Sequence, residues 1–501
     1  MKKVKVLLIN PPLTLDKNDV TNANPVLGLA YLAAVLEKNN IEVKILDALA
    51  DGIHQVEKAD GGKRVGLTEK QIQQSLRNFK PAIVGISCSY TAHAADSHRV
   101  AALVKKTMED VLVVFGGSHA SSNPEMVLDD FNVDIVVKGE GEYTLLEIVK
   151  KFAKGESLRK IPGTIVRGKN RKIIQNSPRP YIQNLDDLPF PARHLLPMKV
   201  YFSERQEESH NIRSPLTTMI TSRGCPGNCI YCAVKTIWGR VWRGRSPQNV
   251  IDEIEELIKE YGVKEIHFLD DSMSVDKKRL EEICDEIIKR KIDIKWATPN
   301  GIALWLLDKP LLTKMKRAGC YRVTFGLESG NKETLALIGK NYSYKWAREI
   351  IDHACRIGLW TVGTFIIGFP EEKLASINDT INFALSSNLD LAIFYSATPF
   401  PGTRLFDYFK EKGLLYDSSA SQFIGGCNTK YFSAEELTKI REDAYTKFIV
   451  SRLARPWRFL RKIRSFEDLL YLISLIKIFS KLIGSRLKPK HFSTAILTAK
   501  T

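Results

Sequence analysis

Across the first 150 residues, short apolar runs alternate with amphipathic stretches. The runs are Lys5-Val6-Leu7-Leu8-Ile9-Asn10-Pro11-Pro12, which ends in a Pro-fixed loop, Ile41-Glu42-Val43-Lys44-Ile45-Leu46-Asp47, Ile83-Val84-Gly85-Ile86-Ser87, Val111-Leu112-Val113-Val114-Phe115-Gly116-Gly117 and Asp134-Ile135-Val136-Val137-Lys138-Gly139-Glu140-Gly141-Glu142. Their length and β-branched content predict buried strands. Between them, 27–39 and 97–108 repeat their apolar positions with helical spacing. Strands separated by helices predict a doubly wound parallel sheet with helices on both faces. Ligands of such sheets lie beyond the carboxyl ends of the strands.

Those ends carry small or turn-forming residues: Asn10-Pro11-Pro12, Ser87-Cys88-Ser89, Gly116-Gly117-Ser118-His119 and Gly139-Glu140-Gly141. They would let backbone approach a large planar ligand, although Gly-rich turns end strands in any α/β protein. Residues 151–214 are punctuated by Pro162, Gly163, Pro178, Pro180, Pro189, Pro191 and Pro197, as a connector between domains would be. Beyond residue 415 the pattern turns helical, with Ser433 as an N-cap before Glu435 and Glu436.

A length of 501 residues and 44% hydrophobic content suit two to four domains with sizeable cores. The net charge of +17 is uneven. Between 452 and 490, Arg452, Arg455, Arg458, Arg461, Lys462, Arg464, Lys477, Lys481, Arg486, Lys488 and Lys490 face only Glu467 and Asp468. Arg452, Arg455, Arg458 and Lys462 are spaced as one helix face, and an apolar run, 469–483, follows. At fifteen residues with two lysines, that run is too short and too charged to span a bilayer. It reads as a basic amphipathic helix contacting an anionic membrane surface. A helix packed on the protein with a solvated rim is the structural alternative. Nucleic acid is the weaker reading, because the stretch has little aromatic interleaving and no RNA-binding module follows.

The densest chemistry is Cys225-Pro226-Gly227-Asn228-Cys229-Ile230-Tyr231-Cys232. A closed [4Fe-4S] site takes four thiolates, so three leave one iron open to a substrate. Structural zinc is the bland alternative, but it prefers two ligand pairs, and no second CxxC or HxxxH lies nearby. Cys88, Cys284, Cys320, Cys355 and Cys427 are scattered singly and read as small buried hydrophobes.

The C-x3-C-x-aromatic-C spacing resembles the radical S-adenosylmethionine (SAM) superfamily. Phe268-Leu269-Asp270-Asp271-Ser272, Phe325-Gly326-Leu327-Glu328-Ser329-Gly330, Phe365-Ile366-Ile367-Gly368-Phe369-Pro370 and Pro399-Phe400-Pro401-Gly402-Thr403-Arg404 match it in order. With the Asn-Pro-Pro, Gly-Gly-Ser-His and Gly-Glu-Gly-Glu segments ahead of it, the chain resembles the cobalamin-binding radical SAM family, methyltransferases and anaerobic protoporphyrin ester cyclases among them. The resemblance implies an α/β chain with a Rossmann-like cobalamin domain (1–150), a linker (151–214), a partial (β/α)6 TIM-like barrel (215–415) and a helical C-terminal region (416–501). The cobalamin face would sit over the barrel opening.

Carried onto this chain, the resemblance makes Cys225, Cys229 and Cys232 the ligands of a [4Fe-4S] cluster. Tyr231 would meet adenine, with Ile367 and Gly368 lining the same pocket. Glu328 would accept hydrogen bonds from the ribose or the methionyl ammonium; a rim salt bridge is its structural alternative. Asp270 and Asp271 would touch the methionine end or the substrate. Asn10, Pro11, Ser87, Gly116, Gly117, His119, Gly139, Glu140 and Gly141 would line cobalamin. The lower-ligand motif D-x-H-x-x-G is absent after the first strand, where Asn10-Pro11-Pro12 stands, so cobalamin is expected base-off without a protein histidine.

The expected function is methyl transfer to an unactivated carbon of a small hydrophobic substrate (lipid, isoprenoid or tetrapyrrole-like) by a 5'-deoxyadenosyl radical and methylcobalamin. Oxidative cyclisation is the alternative within the same architecture. A methylthiotransferase would need a second cysteine triad, and only Cys88 precedes Cys225; a non-enzymatic sensor would leave Glu328 and the Asp pair without purpose. Flavodoxin or ferredoxin would supply electrons. The expected location is the cytoplasm, with peripheral contact at the membrane's inner face.

Overall fold

The computed structural model describes residues 3–17, 21–59, 62–168, 172–208, 211–340, 342–415 and 427–486. By its contacts the chain forms two compact units, Met1–Glu204 with Thr236–Gly239, and Arg205–Lys235 with Arg240–Thr501.

Among its described residues the first unit carries ten strands: β1 (Lys5–Asn10), β2 (Leu13–Asp16), β3 (Glu42–Asp47), β4 (Val56–Ala59), β5 (Gly62–Val65), β6 (Ile83–Ser87), β7 (Leu112–Gly116), β8 (Ile135–Val137), β9 (Thr164–Arg167) and β10 (Ile173–Gln175). Seven form one sheet in the order β10-β9-β8-β7-β6-β1-β3. From β3 to β8 all neighbours are parallel, and β9 and β10 add antiparallel at the edge. The order reverses at the β1–β6 pair, which makes the ends of β1 and β6 the switch point where a crevice opens. Apolar side chains alternate between two cores. Leu7, Ile9, Val84 and Ile86 face one, and Val6, Leu8, Ile83 and Val114 the other.

Each predicted strand is present, and the predicted helices run Leu27–Lys38 and Ala94–Thr107. The stretch 151–214 supplies β9 and β10 to this sheet, which its prolines did not announce. The three-stranded β2-β5-β4 sheet is a further addition.

The second unit carries β11 (Leu216–Met219), β12 (Ser222–Arg223), β13 (Arg243–Gly244), β14 (Glu265–Phe268), β15 (Lys295–Ile302), β16 (Cys320–Glu328), β17 (Trp360–Ile367) and β18 (Leu391–Ser396). Six of these are parallel in the order β11-β14-β15-β16-β17-β18, and helices cross between them. This is a partial (β/α)6 barrel, open between β11 and β18, so its last strand needs cover. Helix Ala434–Leu453 gives it: the Tyr445 hydroxyl accepts from Phe394 N at 3.0 Å and donates to Phe394 O at 3.2 Å. That helix starts at Ser433 with a full capping box from Glu436.

The predicted basic face of 452–462 is corrected. Arg452 and Lys462 are 1% and 4% exposed. The Arg452 guanidinium donates to Leu389 O at 2.8 Å and to Ala384 O and Ser387 O at 3.0 Å, closing the end of helix Leu374–Ser386. Lys462 pairs with buried Asp390 at 2.9 Å. Arg464 donates to Arg356 O at 2.8 Å and Ile357 O at 3.0 Å, past the end of helix Tyr344–Arg356. Orphan carbonyls and the negative helix end attract cations, so these charges serve the fold. Helix Phe466–Arg486 then inserts Tyr471, Leu472 and Leu475 against Tyr321 and Trp360. The Lys481 and Arg486 side chains, and Lys488 and Lys490, lie outside what is described.

Candidate active site

In the second unit, the three cysteines sit in the loop between β12 and helix Val234–Trp238. All are free and half-buried, and the intervening Pro226, Gly227 and Asn228 are exposed. Gly227 N donates to Cys225 Sγ at 3.4 Å, and a Cβ at Gly227 would lie 3.2 Å from that sulfur and 3.9 Å from Cys229 Sγ. A side chain there would therefore crowd the thiols. Burial pushes the Cys225 and Cys232 thiols up, so it takes positive charge from iron to hold them as thiolates. Among the described residues no three His, Cys, Asp or Glu side chains converge on one ion; a cubane needs no such point, because each thiolate takes its own iron.

Asp270 and Asp271 follow β14 and divide the work of holding this loop. Asp270 accepts from Thr221 N at 3.1 Å, Thr221 Oγ1 at 2.7 Å and Ser222 Oγ. Asp271 accepts from Gly224 N at 3.0 Å, one residue before Cys225, and burial pushes its carboxyl up to about 6. Asp270 is thus committed to the strand entering the loop.

Glu328 ends β16 with φ of 65°, a left-handed conformation costly for a non-glycine residue. It is 7% exposed and accepts from Lys340 Nζ at 2.8 Å. Burial, and then the negative charge of Glu328, push the Tyr231 hydroxyl well above its ordinary range. Tyr231 packs with Phe369 at 6.2 Å between centroids and shares an apolar cluster with half-buried Ile366. Ile367 points the other way and is fully buried. Gly368 has φ of 85°, and a Cβ there would meet Leu437 at 2.8 Å.

Lys340 is the residue the sequence reading missed. It follows helix Lys332–Ile338 and, besides Glu328, stands 5.0 Å over the Trp305 ring. Glu372 was missed too: its carboxylate accepts from Gly368 N at 2.7 Å and Phe369 N at 3.2 Å, fixing the Gly-Phe-Pro turn.

Burial pushes the Glu372 carboxyl from 4.5 up to about 7. The folded protein then stays protonated there while the unfolded chain ionises. Stability should therefore fall as pH rises between those values, by on the order of 3 kcal/mol. Thermal melts from pH 4.5 to 8 should show this slope, and E372Q, which keeps an accepting oxygen, should flatten it.

In the first unit, the strand ends sort into two groups. Asn10 Nδ2 donates to Asp47 Oδ1 at 2.8 Å, and the Glu140 carboxylate accepts from Ile182 N at 2.7 Å, so both serve the fold. Pro11 is buried, and Gly141 lies under Leu32, 3.1 Å from where its Cβ would be. Ser87 Oγ pairs with Ser89 Oγ at 3.1 Å, and Ser121 Oγ accepts from Gly139 N at 3.0 Å. A Cβ at Gly116 would meet nothing within 4 Å, whereas one at Gly117 (φ 110°) would strike the Cys88 carbonyl at 2.8 Å.

Buried His119 holds Thr91 Oγ1 at 2.9 Å through Nδ1, and its Nε2 has no partner among the described residues. Burial lowers this imidazole to about 4, so it stays neutral. An open backbone cradle at Gly116 and an orphaned ring nitrogen beside it fit a bound corrinoid.

A family model for the radical SAM superfamily matches residues 219–384, and one for the B12 binding domain matches 16–149. An uncharacterised methyltransferase of Pyrococcus horikoshii is 36% identical over 453 residues, covering 89% of this chain and 93% of that protein. The cytidylyl-2-hydroxyethylphosphonate methyltransferase of Streptomyces wedmorensis is 33% identical, covering 80% of each. An anaerobic magnesium-protoporphyrin IX monomethyl ester cyclase of Rubrivivax gelatinosus is 25% identical, covering 84% of this chain and 73% of that one. Among solved structures, the radical SAM methyltransferase TsrM from Kitasatospora setae, with cobalamin and a [4Fe-4S] cluster bound, superposes with a TM-score of 0.67 at 19% identity, covering 82% of this chain and 75% of that one. The cobalamin-dependent radical enzyme OxsB, with aqua-cobalamin bound, gives a TM-score of 0.70 at 17% identity, covering 96% and 75%. The two matched domains, in this order and at this identity to full-length relatives, make the chain a member of the cobalamin-binding radical SAM enzymes, with SAM, a [4Fe-4S] cluster and cobalamin as its cofactors.

Proposed function

We propose that the enzyme transfers a methyl group to an unactivated carbon of a small hydrophobic substrate, a lipid, isoprenoid or tetrapyrrole-like molecule. The observation that carries this reading is the pairing, in one chain, of an open three-thiol loop with a B12-type strand end whose Gly116 and His119 are left available. Bound there, the cluster supplies the electron that cleaves SAM, and cobalamin supplies the methyl group.

The chain's own residues hold and orient. Cys225, Cys229 and Cys232 are the cluster ligands; Asp270 and Asp271 position their loop. Glu328 and Lys340, an anion and a cation on one buried edge, are matched to the ammonium or ribose and to the carboxylate of SAM. Tyr231, with Ile366, offers the apolar wall for adenine. Gly116, Gly117, Ser87, Gly139 and His119 line the cobalamin side, and the absence of a histidine at Asn10-Pro11-Pro12 supports a base-off cofactor without a protein ligand.

Electrons come from a flavodoxin- or ferredoxin-type carrier; the exposed Gly227, so near two thiols, gives it a short path. The cytoplasm, at its membrane face, is the compartment we assign, because free cysteines and a reduced cluster need reducing surroundings.

Relatives bearing methyltransferase names at 36% and 33% identity favour methylation over cyclisation. The cyclase at 25% keeps oxidative ring closure as the second reading. Incubating the reconstituted enzyme and SAM carrying a labelled methyl group with isoprenoid and tetrapyrrole candidates separates them. Transfer of the label to a substrate carbon supports methylation; an oxidised, unlabelled product means cyclisation.

A further inference from the structure

Of the nineteen large apolar residues exposed among the described ones, nine lie between Val450 and Ile476. On helix Phe466–Arg486, the exposed Phe466, Leu469, Leu470, Ile473 and Ile476 recur at i, i+3, i+4, i+7 and i+10. That is one continuous face, opposite the one that buries Tyr471, Leu472 and Leu475. Trp457 and Leu460, 51% and 61% exposed, precede it. A water-facing apolar patch of this extent marks a surface that binds something.

The charges nearby say what. Arg455, Arg461 and Lys477 are exposed, and so is Arg464, already held by backbone carbonyls. Of the two acids of the segment, buried Asp468 accepts from Ser465 Oγ at 3.0 Å, and half-buried Glu467 is paired with Arg213 at 2.7 Å. With Glu467 paired, the remaining outward charge from 450 to 477 is positive. A second copy would bring the same cations against these. The segment 487–501 carries Lys488, Lys490 and Lys500 and no acid, so it is repelled alike. Nucleic acid would answer the charge but leave the apolar face in water. No described helix is long and apolar enough to cross a membrane.

We infer that the outer face of helix Phe466–Arg486, with the Trp457–Leu460 turn before it, docks on an anionic lipid bilayer. Leu470 and Ile473 enter the acyl boundary, and Arg455, Arg461 and Lys477 meet the headgroups. This goes beyond the proposed reaction and does not depend on it.

The test is cosedimentation of the full-length reconstituted enzyme with phosphatidylcholine vesicles, with or without 30% phosphatidylglycerol. Wild type should bind the anionic vesicles at least about tenfold more tightly. L470S/I473S, which alters exposed side chains alone, should lose at least about tenfold while still cleaving SAM in solution. R461E/K477E should lose binding chiefly at low salt. Three results would overturn the proposal: no vesicle binding by wild type; equal binding by L470S/I473S; or a dimer in solution that L470S/I473S converts to monomer. Binding that appears only after truncation at residue 486 would assign the face to the chain's own tail and overturn it too.

Discussion

Replacing Cys225, Cys229 and Cys232 together by alanine should leave a folded protein without iron. Formation of 5'-deoxyadenosine should fall by about a thousandfold or more, since the barrier to cleaving SAM then lacks its electron. The fold should survive because the loop is half-exposed and its Pro226-Gly227-Asn228 segment lies outside the core. Far-ultraviolet circular dichroism and iron analysis of the same preparation check both halves. Cobalamin binding should persist in the variant, because the strand ends that favour it belong to the other compact unit. Residual cleavage near the wild-type rate would mean that these thiols do not carry the cluster.

The second large effect is expected at Lys340. Removing its charge in K340M leaves the Glu328 carboxylate 7% exposed without its 2.8 Å partner, on a residue already in a left-handed conformation. Breaking a buried pair from one side costs about 3–5 kcal/mol, so the melting temperature should drop and SAM cleavage should fall at least about tenfold. E328Q/K340M should regain much of the stability, since no unpaired charge remains, while cleavage stays low. The cycle built from both single variants and the double one separates the two roles. If the double variant regains cleavage with stability, the pair is structural alone.

Much of this could be read from the residues because the chemistry is local. The cysteine loop is set by spacing within eight positions, and the parallel strands of the first unit's large sheet by apolar runs whose length shows in the sequence. Ser433 announced its own helix as an N-cap before Glu435 and Glu436, and the structure adds the capping box with Glu436.

What stayed hidden depends on long-range partners. Asp270 sits at a strand end as expected, but its bonds go to Thr221 and Ser222, nearly fifty residues earlier, which only the β11–β14 pairing brings beside it. Along β17 the half-buried Ile366 packs on the apolar cluster that Tyr231 also joins, whereas Ile367 is fully buried, a difference of one position that sequence alone does not resolve. Asn10 and Glu140 lie at the right strand ends, yet both carry fold bonds that no pattern displays. Lys340 gave one faint signal, a lysine after Gly339 at the end of a short helix, and its partner is twelve positions back on a strand.

The C-terminal cations show the same limit from the other side. Helical spacing grouped Arg452 with Lys462 on one face, but the helix ends at Leu453 and Lys462 follows the separate Trp457–Leu460 turn, so no one face carries them; nor can spacing say which side is wet. Free carbonyls at the ends of barrel helices drew those charges inward, and apolar side chains were left facing outward.

The most direct test of the central claim uses protein purified without oxygen and reconstituted with iron, sulfide and hydroxocobalamin. Bound cobalamin is read from its visible spectrum; 5'-deoxyadenosine and S-adenosylhomocysteine are then measured after adding reductant and SAM. One cobalamin per chain, with both products formed, is the predicted result, because radical methylation uses SAM twice. Protein that binds no cobalamin, while its three-cysteine loop still cleaves SAM, would contradict the claim.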